Sequence, residues 1–429
     1  MPKVTKKTSR RRPRPVKPKR KSSAGVLKFL APGKSEWCDL SVDSDEEDGD
    51  IERAVEESRA ALKEALLTSL QMPNLIALSG SGTSIGGVGG PSMWTLWDRC
   101  VQEDPDTDRV SYENTDAASG VIETIEYDEG EEGKNIEALL SRCEAYLVIH
   151  DDTEVEEFAV ECKRIILESC SEFLEGRGAG DANLEAHKQF LHRLSRRRVR
   201  DPRLKLFTTN YDLCFEIAAA ELGLVGIDGF SFSTPRRFSP THFTYDIVRR
   251  SNVGAEIGEP LAGVFHLLKL HGSVNWSSHP DGGIVECSNP DPNDACLIYP
   301  ARGKYQQSYS QPHLELMSQF LSALRQPDTC LFIAGFGFND DHLSEPIYTA
   351  VRSNPQLRLV IADYKAEDSI HGVDGEYSPY WKKLYELSGA GENVWFINGS
   401  FGDFCGMIPD LRALTPGQKL EQAIKGVTR

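Results

Sequence analysis

Short apolar runs alternate with helical patterns along most of this chain, and no other feature limits its fold as strongly. Seven runs read as strands: Asn74–Leu78, Leu204–Thr208, Val264–Leu270, Cys296–Tyr299, Thr329–Ala334, Leu357–Ala362 and Val394–Ile397. Apolar residues recur at helical spacing over Ile51–Leu70, where Pro73 stops the pattern, and over Tyr211–Leu222, His313–Leu324, Leu343–Ser353, Pro379–Leu387 and Asp403–Leu414. Apolar strands separated by helices predict an α/β chain whose mostly parallel sheet is covered on both faces. In such a sheet ligands sit at the carboxyl ends of the strands.

Three helical patterns between Asn135 and Arg198 interrupt the alternation and predict a helical insertion over about residues 135–200. Its apolar stripes, Leu139, Leu140, Cys143 and Leu147 on one side and Val160, Ile165, Ile166, Cys170 and Phe173 on the other, read as packing surfaces rather than as a ligand pocket. Residues 226–262, rich in Gly, Ser, Pro and aromatic residues, read as a functional loop or lid. The expected division is a disordered tail over 1–50, one domain over 51–415 and a C-terminal tail over 416–429. Within the first tail, residues 1–21 carry eleven Lys and Arg and residues 36–52 carry nine Asp and Glu, so the basic block could contact nucleic acid or another anionic partner. The net charge of −17 argues against a surface that coats nucleic acid generally. Ten scattered cysteines without a CxxC pair predict reduced thiols, no structural zinc and no metal cofactor. No apolar run approaches the roughly 20 residues that span a bilayer, and no secretory leader opens the chain, so a cytoplasmic location without membrane contact is expected.

Five features fall at predicted strand ends. Gly80-Ser81-Gly82-Thr83-Ser84 could cradle a pyrophosphate with its N–H groups and hydroxyls, or be a plain surface turn. Thr208-Thr209-Asn210-Tyr211-Asp212 puts Asn210 and Asp212 over the same site, or uses them to cap a helix. His271, with Gly272 leaving room for a substrate beside it, could be a general base or a structural hydrogen-bonder. Gly335-Phe336-Gly337-Phe338-Asn339-Asp340-Asp341-His342 suits the adenosine half of a dinucleotide, and Asn398-Gly399-Ser400-Phe401-Gly402 follows the last strand. Each could be an ordinary loop; their occurrence in order, each after its own strand, favours one shared site.

The order Gly80-x-Gly82-x-Ser84, Asn210 and Asp212 in a Thr-x-Asn-x-Asp frame, then His271-Gly272 resembles the sirtuin family of NAD-dependent enzymes from about Asn74 to Phe404. Within that family Gly89-Gly90-Pro91-Ser92-Met93-Trp94 and the segment Gly335–His342 resemble the prokaryotic sirtuin-like NADases of anti-phage defence more than the deacylases. The resemblance implies a sirtuin-like Rossmann fold and NAD as substrate, cleaved to nicotinamide and ADP-ribose. Asn210 and His271 would be catalytic, Asn210 holding water or ribose hydroxyls and His271 acting as base. Gly80, Gly82, Thr83, Ser84, Thr209, Asp212, Gly335, Phe336 and Phe401 would contact NAD. Three departures concern deacylation: the CxxC pairs of the zinc ribbon are missing, Ser92-Met93-Trp94 stands where sirtuins have Asp-Phe-Arg, and Thr209 replaces the usual Gln. A protein deacylase or ADP-ribosyltransferase, and a non-catalytic sensor of NAD or ADP-ribose, stay open beside the hydrolase. The resemblance also implies control by homo-oligomerisation or by a partner such as a HerA-type ATPase translocase or a short Argonaute. The chain has no Walker A sequence, so an ATPase would be a separate protein.

Overall fold

A computed structural model describes residues 22–41, 49–102, 114–174, 184–198, 201–250, 258–298, 311–373, 375 and 377–411. Strands β1 (Lys28–Leu30) and β2 (Cys38–Asp39) precede helix α1 (Gly49–Leu70), which buries Val55, Leu62, Leu66 and Leu70 along one stripe. Strand β3 (Asn74–Ser79) runs into the single turn α2 (Gly82–Ile85). Five helices in succession then share a core of their own or flank it: α3 (Met93–Val101), α4 (Asp116–Thr124), α5 (Glu129–Glu132), α6 (Ile136–Leu147) and α7 (Thr153–Glu172). Ser92, Thr115, Asn135 and Asp152 cap four of them, each side-chain oxygen accepting from a first-turn N–H.

Helix α8 (Glu185–Leu194) leads back to the sheet, followed by β4 (Leu204–Thr208), α9 (Cys214–Glu221) and β5 (Val225–Ile227). The stretch after β5 holds a 3-10 turn at Pro240–Thr244 and a ribbon of β6 (Val248–Arg249) with β7 (Glu259–Pro260). Strand β8 (Val264–Lys269) enters the main sheet, whereas β9 (Gly272–Ser278), β10 (Ile284–Glu286) and β11 (Ala295–Leu297) form a separate antiparallel sheet. The chain closes with α10 (His313–Leu324), β12 (Thr329–Ala334), α11 (Asp341–Ser353), β13 (Leu357–Asp363), α12 (Ala366–His371), α13 (Pro379–Gly389), β14 (Val394–Asn398) and α14 (Phe401–Met407).

The main sheet has the order β2-β1-β14-β13-β12-β3-β4-β8-β5; the seven strands from β14 to β5 are parallel, and β1 and β2 are antiparallel. This is the expected Rossmann-like α/β sheet. Successive residues of each strand point to opposite faces, so Ile76, Leu78, Leu331 and Ile333 join one core under α10, α11 and α13. Leu75, Ala77, Phe332 and Ala334 join a second core under α1, α8, α9 and α14. The chain leaves β3 toward β4 on one side and later returns to its other side with β12, so the order reverses between β3 and β12. At such a reversal the two outgoing loops diverge and leave a crevice. No helix among the described residues is long and apolar enough to cross a membrane.

Four expectations need correction. The tail expected over 1–50 is folded at residues 22–41: β1 pairs with β14, Phe29 and Leu40 are buried, and the Asn398 amide donates to the carbonyls of Ser23 and Val26. The charged block 1–21, residues 42–48 and the expected tail 416–429 lie outside the described residues. The run at Cys296 belongs to the small antiparallel sheet, because an apolar run fits either sheet and only its partner decides; Tyr299 lies outside the described residues. The insertion expected over 135–200 is offset, since α3 and α4 pack into the α6–α7 core while Phe190, Leu191 and Leu194 of α8 pack on the main sheet. The helix expected over Asp403–Leu414 spans Phe401–Met407 and opens with a Ser400–Asp403 capping box; 412–414 lie outside the described residues.

Candidate active site

Two clefts open at the reversal between β3 and β12. Ser81, Ser84, Thr209, Asn210, Asp212, His271, Gly335, Phe336 and Asp340 line the first, of about 900 Å³ including its mouth. Gly82, Thr83, Ile85, Asp363, Tyr364, Gly399, Ser400 and Phe401 line the second, of about 1600 Å³. Gly335 touches both.

The glycines of the first loop do a different job from the one expected. A Cβ on Gly80 would meet the Gly335 carbonyl oxygen at 2.6 Å, and one on Gly82 would meet the Gly335 Cα at 2.8 Å. The two loops therefore pack backbone on backbone, and Gly80 does not reach either cleft lining described above. Four of the loop's five amides are already engaged within the fold: Gly80 N–H donates to Ala334, Gly82 to Gly335, Thr83 to Gly80 and Ser84 to Ser81. Gly272, at φ +85°, makes room for the Cys296 carbonyl, which a Cβ would approach to 2.0 Å, rather than for a substrate.

What the loop does supply is hydroxyls. Asn210 is 8 % exposed, and its Nδ2 donates to Thr83 Oγ1 and to Ser84 Oγ, both at 3.1 Å. Thr83 Oγ1 in turn donates to the Gly80 carbonyl at 2.9 Å and Ser84 Oγ to Asp212 Oδ2 at 2.8 Å. Both amide protons of Asn210 are thus committed, which fixes the carboxamide's rotation and leaves Oδ1 as its acceptor for a hydroxyl or water. Asp212 Oδ1 also accepts from Cys214 N–H at 3.0 Å, closing the turn just before α9, whose N-cap position is Leu213 without a side-chain cap bond, so neither Asn210 nor Asp212 is the expected cap. Thr209 lines the cleft while its own N–H holds the Ser79 carbonyl.

Lys269, the last residue of β8, secures this strand tip from behind. Its buried ammonium donates to the carbonyls of Tyr211 and Asp212 and pairs with Glu216 at 2.8 Å. Two residues on, His271 is 2 % exposed and its Nε2 lies 3.1 Å from Nε2 of His342. In a hydrogen bond between two imidazoles one nitrogen donates and the other accepts. If His271 donates, its Nδ1 is the unprotonated nitrogen and can take a proton. His313 Nδ1 donates to the Leu270 carbonyl at 3.0 Å, holding the strand end beside it; burial pushes its imidazole down to about 4.

Glu137, Cys170 and Phe173 of the helical module form a wall of the first cleft, so the α7 stripe expected to be packing alone also faces the cleft. Burial, reinforced by the nearby Asp212 charge, pushes the Cys170 thiol up to about 12, and the same two causes raise Cys214, so neither offers a thiolate. Phe336 lines the cleft but is largely buried, packed against Phe338 at 5.2 Å between ring centroids. In the second cleft Phe401 packs on His187 and Phe190 at 5.2 and 5.5 Å. Burial raises the Asp363 carboxyl there to about 6 against the opposing pull of Lys365.

The segment Gly335–His342, expected to serve the adenosine half, instead lines the first cleft beside Asn210 and His271, and neither His342 nor Asp340 had a role of its own in the sequence; Asp363 and Glu137 were passed over. Asp363 was within reach, since it ends strand β13 and the strand-end rule applies to it as to the others. The meeting of His342 with His271 depends on the sheet order and had no local signal.

Residues 205–387 match the family model of the SIR2-like domain. No curated protein matches the chain. Among solved structures, a Sir2 homologue in complex with NAD is 12 % identical at a TM-score of 0.40, over 81 % of this chain and 92 % of that one. A Sir2 homologue bound to 2'-O-acetyl ADP ribose is 12 % identical at a TM-score of 0.37, over 80 % and 94 %. The chain is thus similar to the SIR2-like domain over its central and C-terminal strands, from β4 to α13.

Proposed function

We propose that this chain binds NAD across the two clefts and hydrolyses its nicotinamide–ribose bond, giving nicotinamide, ADP-ribose and a proton. The observation that carries this reading is the pair of clefts meeting at one backbone contact, Gly82 against Gly335, with a fixed carboxamide and an imidazole on one side and a carboxyl on the other. A dinucleotide has that shape: two nucleoside halves joined by a pyrophosphate. The SIR2-like match over residues 205–387 supports NAD as the dinucleotide.

In the proposed reaction nicotinamide leaves as a neutral group from a cationic ring, so departure needs little acid assistance, and the ribose passes through an oxocarbenium-like state. Asn210 Oδ1 holds the attacking water or a ribose hydroxyl, and His271 takes the proton through Nδ1 while its Nε2–H is engaged by His342. Asp363 accepts from the adenosine ribose in its ionised form. The resemblance of Gly89–Trp94 and Gly335–His342 to anti-phage NADases supports a role in defence by NAD depletion. Assembly of the chain, or a partner such as a HerA-type ATPase or short Argonaute, would then hold it in check.

The test is purified full chain and its His271→Ala variant incubated with NAD, with and without an acetylated peptide, and analysed by chromatography. Peptide-independent nicotinamide and ADP-ribose from wild type alone is the expected result. Product that appears only with peptide, as O-acetyl-ADP-ribose, would replace hydrolysis by deacylation. Tight NAD binding without product would make the chain a sensor.

A further inference from the structure

We propose that His271, His342 and Asp340 form a binding site for one divalent transition-metal ion of the Zn²⁺ class, and that the ion turns off the reaction by occupying its base. The inhibitory half rests on the NAD-cleavage reading; the metal site does not.

The three side chains offer ligand atoms within 4.8 Å of one another, and among the described residues no other trio of His, Cys, Asp or Glu does so. They come from two separate places, the end of β8 and the start of α11, brought together by the sheet order. Two imidazoles with one carboxylate are a ligand set that zinc and its neighbours favour over Mg²⁺ or Ca²⁺.

The spacing suits an ion. With Zn–N bonds of about 2.0–2.1 Å and tetrahedral angles, two ligand nitrogens stand about 3.3–3.4 Å apart. The two Nε2 atoms are 3.1 Å apart, so a few tenths of an ångström of opening admits the metal in place of the proton they share. Asp340 stands at the N-cap of α11 yet makes no cap hydrogen bond, and its carboxylate lies beside the imidazoles instead.

The loop that carries Asp340 and His342 is anchored in advance. Ser378 Oγ donates to the Phe338 carbonyl at 2.6 Å and Trp381 Nε1 to the Gly337 carbonyl at 3.1 Å, while Phe338 holds φ +59°. Three protein ligands leave one coordination position, and both His271 and Asp340 line the first cleft, so that position faces the substrate's space. An ion there takes the Nε2 lone pair of His271, so the ring's one proton moves to Nδ1 and that nitrogen can no longer accept one.

The site is tested by titrating chelator-stripped full chain with Co²⁺, whose visible ligand-field bands report tetrahedral coordination. One Co²⁺ per chain is expected, displaced by Zn²⁺. The band should vanish in His342→Ala, and affinity should fall at least about tenfold in the near-isosteric Asp340→Asn, the loss typical of removing even an outer partner of a metal ligand. No band in wild type, or a band unchanged in Asp340→Asn and His342→Ala, overturns the site and assigns the ion to the cysteines or to none. Zn²⁺ should also stop NAD consumption and a chelator restore it; NAD consumption that continues with the Co²⁺ site filled by Zn²⁺ overturns the inhibitory role. A chelated wild type that consumes no NAD would count against the NAD reading alone, because the Co²⁺ band decides the metal site without it.

Discussion

The cleft around Asn210 and the cleft around Phe401 share one wall and differ in how their polar groups are held. In the first, the carboxamide, two hydroxyls, a carboxylate and a pair of imidazoles are buried and bonded to each other, and Lys269 ties their strand tip from behind. In the second, loop backbone and aromatic surface dominate, with Asp363 the acid at its strand end. Groups whose orientation is fixed before a ligand arrives cost nothing to reorganise when bonds change, whereas a roomier wall suits recognition. On this account the first cleft carries the chemistry and the second the grip.

The largest expected effect separates them directly. His271→Ala and Asn210→Ala should each lower kcat for NAD by roughly a hundred- to ten-thousand-fold with little change in melting temperature. Phe401→Ala should instead raise KM by about tenfold and spare kcat. Steady-state kinetics on the three variants checks this, and a collapse of kcat in Phe401→Ala would erase the distinction. Next is Lys269→Met, which strands Glu216 and frees the carbonyls of Tyr211 and Asp212. Because Glu216 keeps 30 % of its side chain exposed, the substitution should cost about 1–3 kcal/mol in urea unfolding, below the loss from a fully buried pair, and lower kcat while leaving KM nearly unchanged.

Each cleft also has a buried neutral histidine behind it, His313 beside the His271 strand end and His187 under Phe401, both held down to about 4 by burial. Below the ordinary value of 6.5 the unfolded chain binds protons that the folded chain refuses, so stability is full above that value and falls as pH drops from about 6.5 toward 4. The loss should be roughly 2 kcal/mol per histidine by pH 5. Denaturation at pH 7 and pH 5 measures it, and His187→Phe should remove its share.

Gly335→Ala tests the shared wall. Its Cβ would lie 2.6 Å from the carbonyl carbon of Gly82 and from Thr83 N, at φ +59°. A cost of about 1–3 kcal/mol is expected, with kcat and KM both worsened. The smallest effect is a pH dependence confined to the second cleft. Asp363 loses its charge below about 6, so KM for NAD should rise toward tenfold per pH unit below that value, and Asp363→Asn should be flat.

Much of this architecture can be read before any coordinates. Six of the seven apolar runs are strands of the main sheet, and Asn210, Asp212, His271 and Gly335 meet at the predicted ends. What sequence could not say is what each glycine makes room for. Gly80, Gly82 and Gly272 look identical to ligand-approach glycines, yet the space beside each is filled by other backbone, Gly335 for the first two and Cys296 for the third. Strand β1 escaped notice because the short apolar run Val26–Ala31 lies between a basic and an acidic block and becomes a strand only through the β14 edge it pairs with. His342 lay in a quoted motif, but its partner is 71 residues away and only the β3–β12 reversal brings them together.

The most direct test is a crystal structure of His271→Ala soaked with NAD. The account predicts one intact dinucleotide with its nicotinamide ribose within hydrogen-bond reach of Asn210 Oδ1, its pyrophosphate passing Gly82 and Gly335, and its adenosine ribose at Asp363. NAD confined to one cleft, or bound away from both, would contradict it.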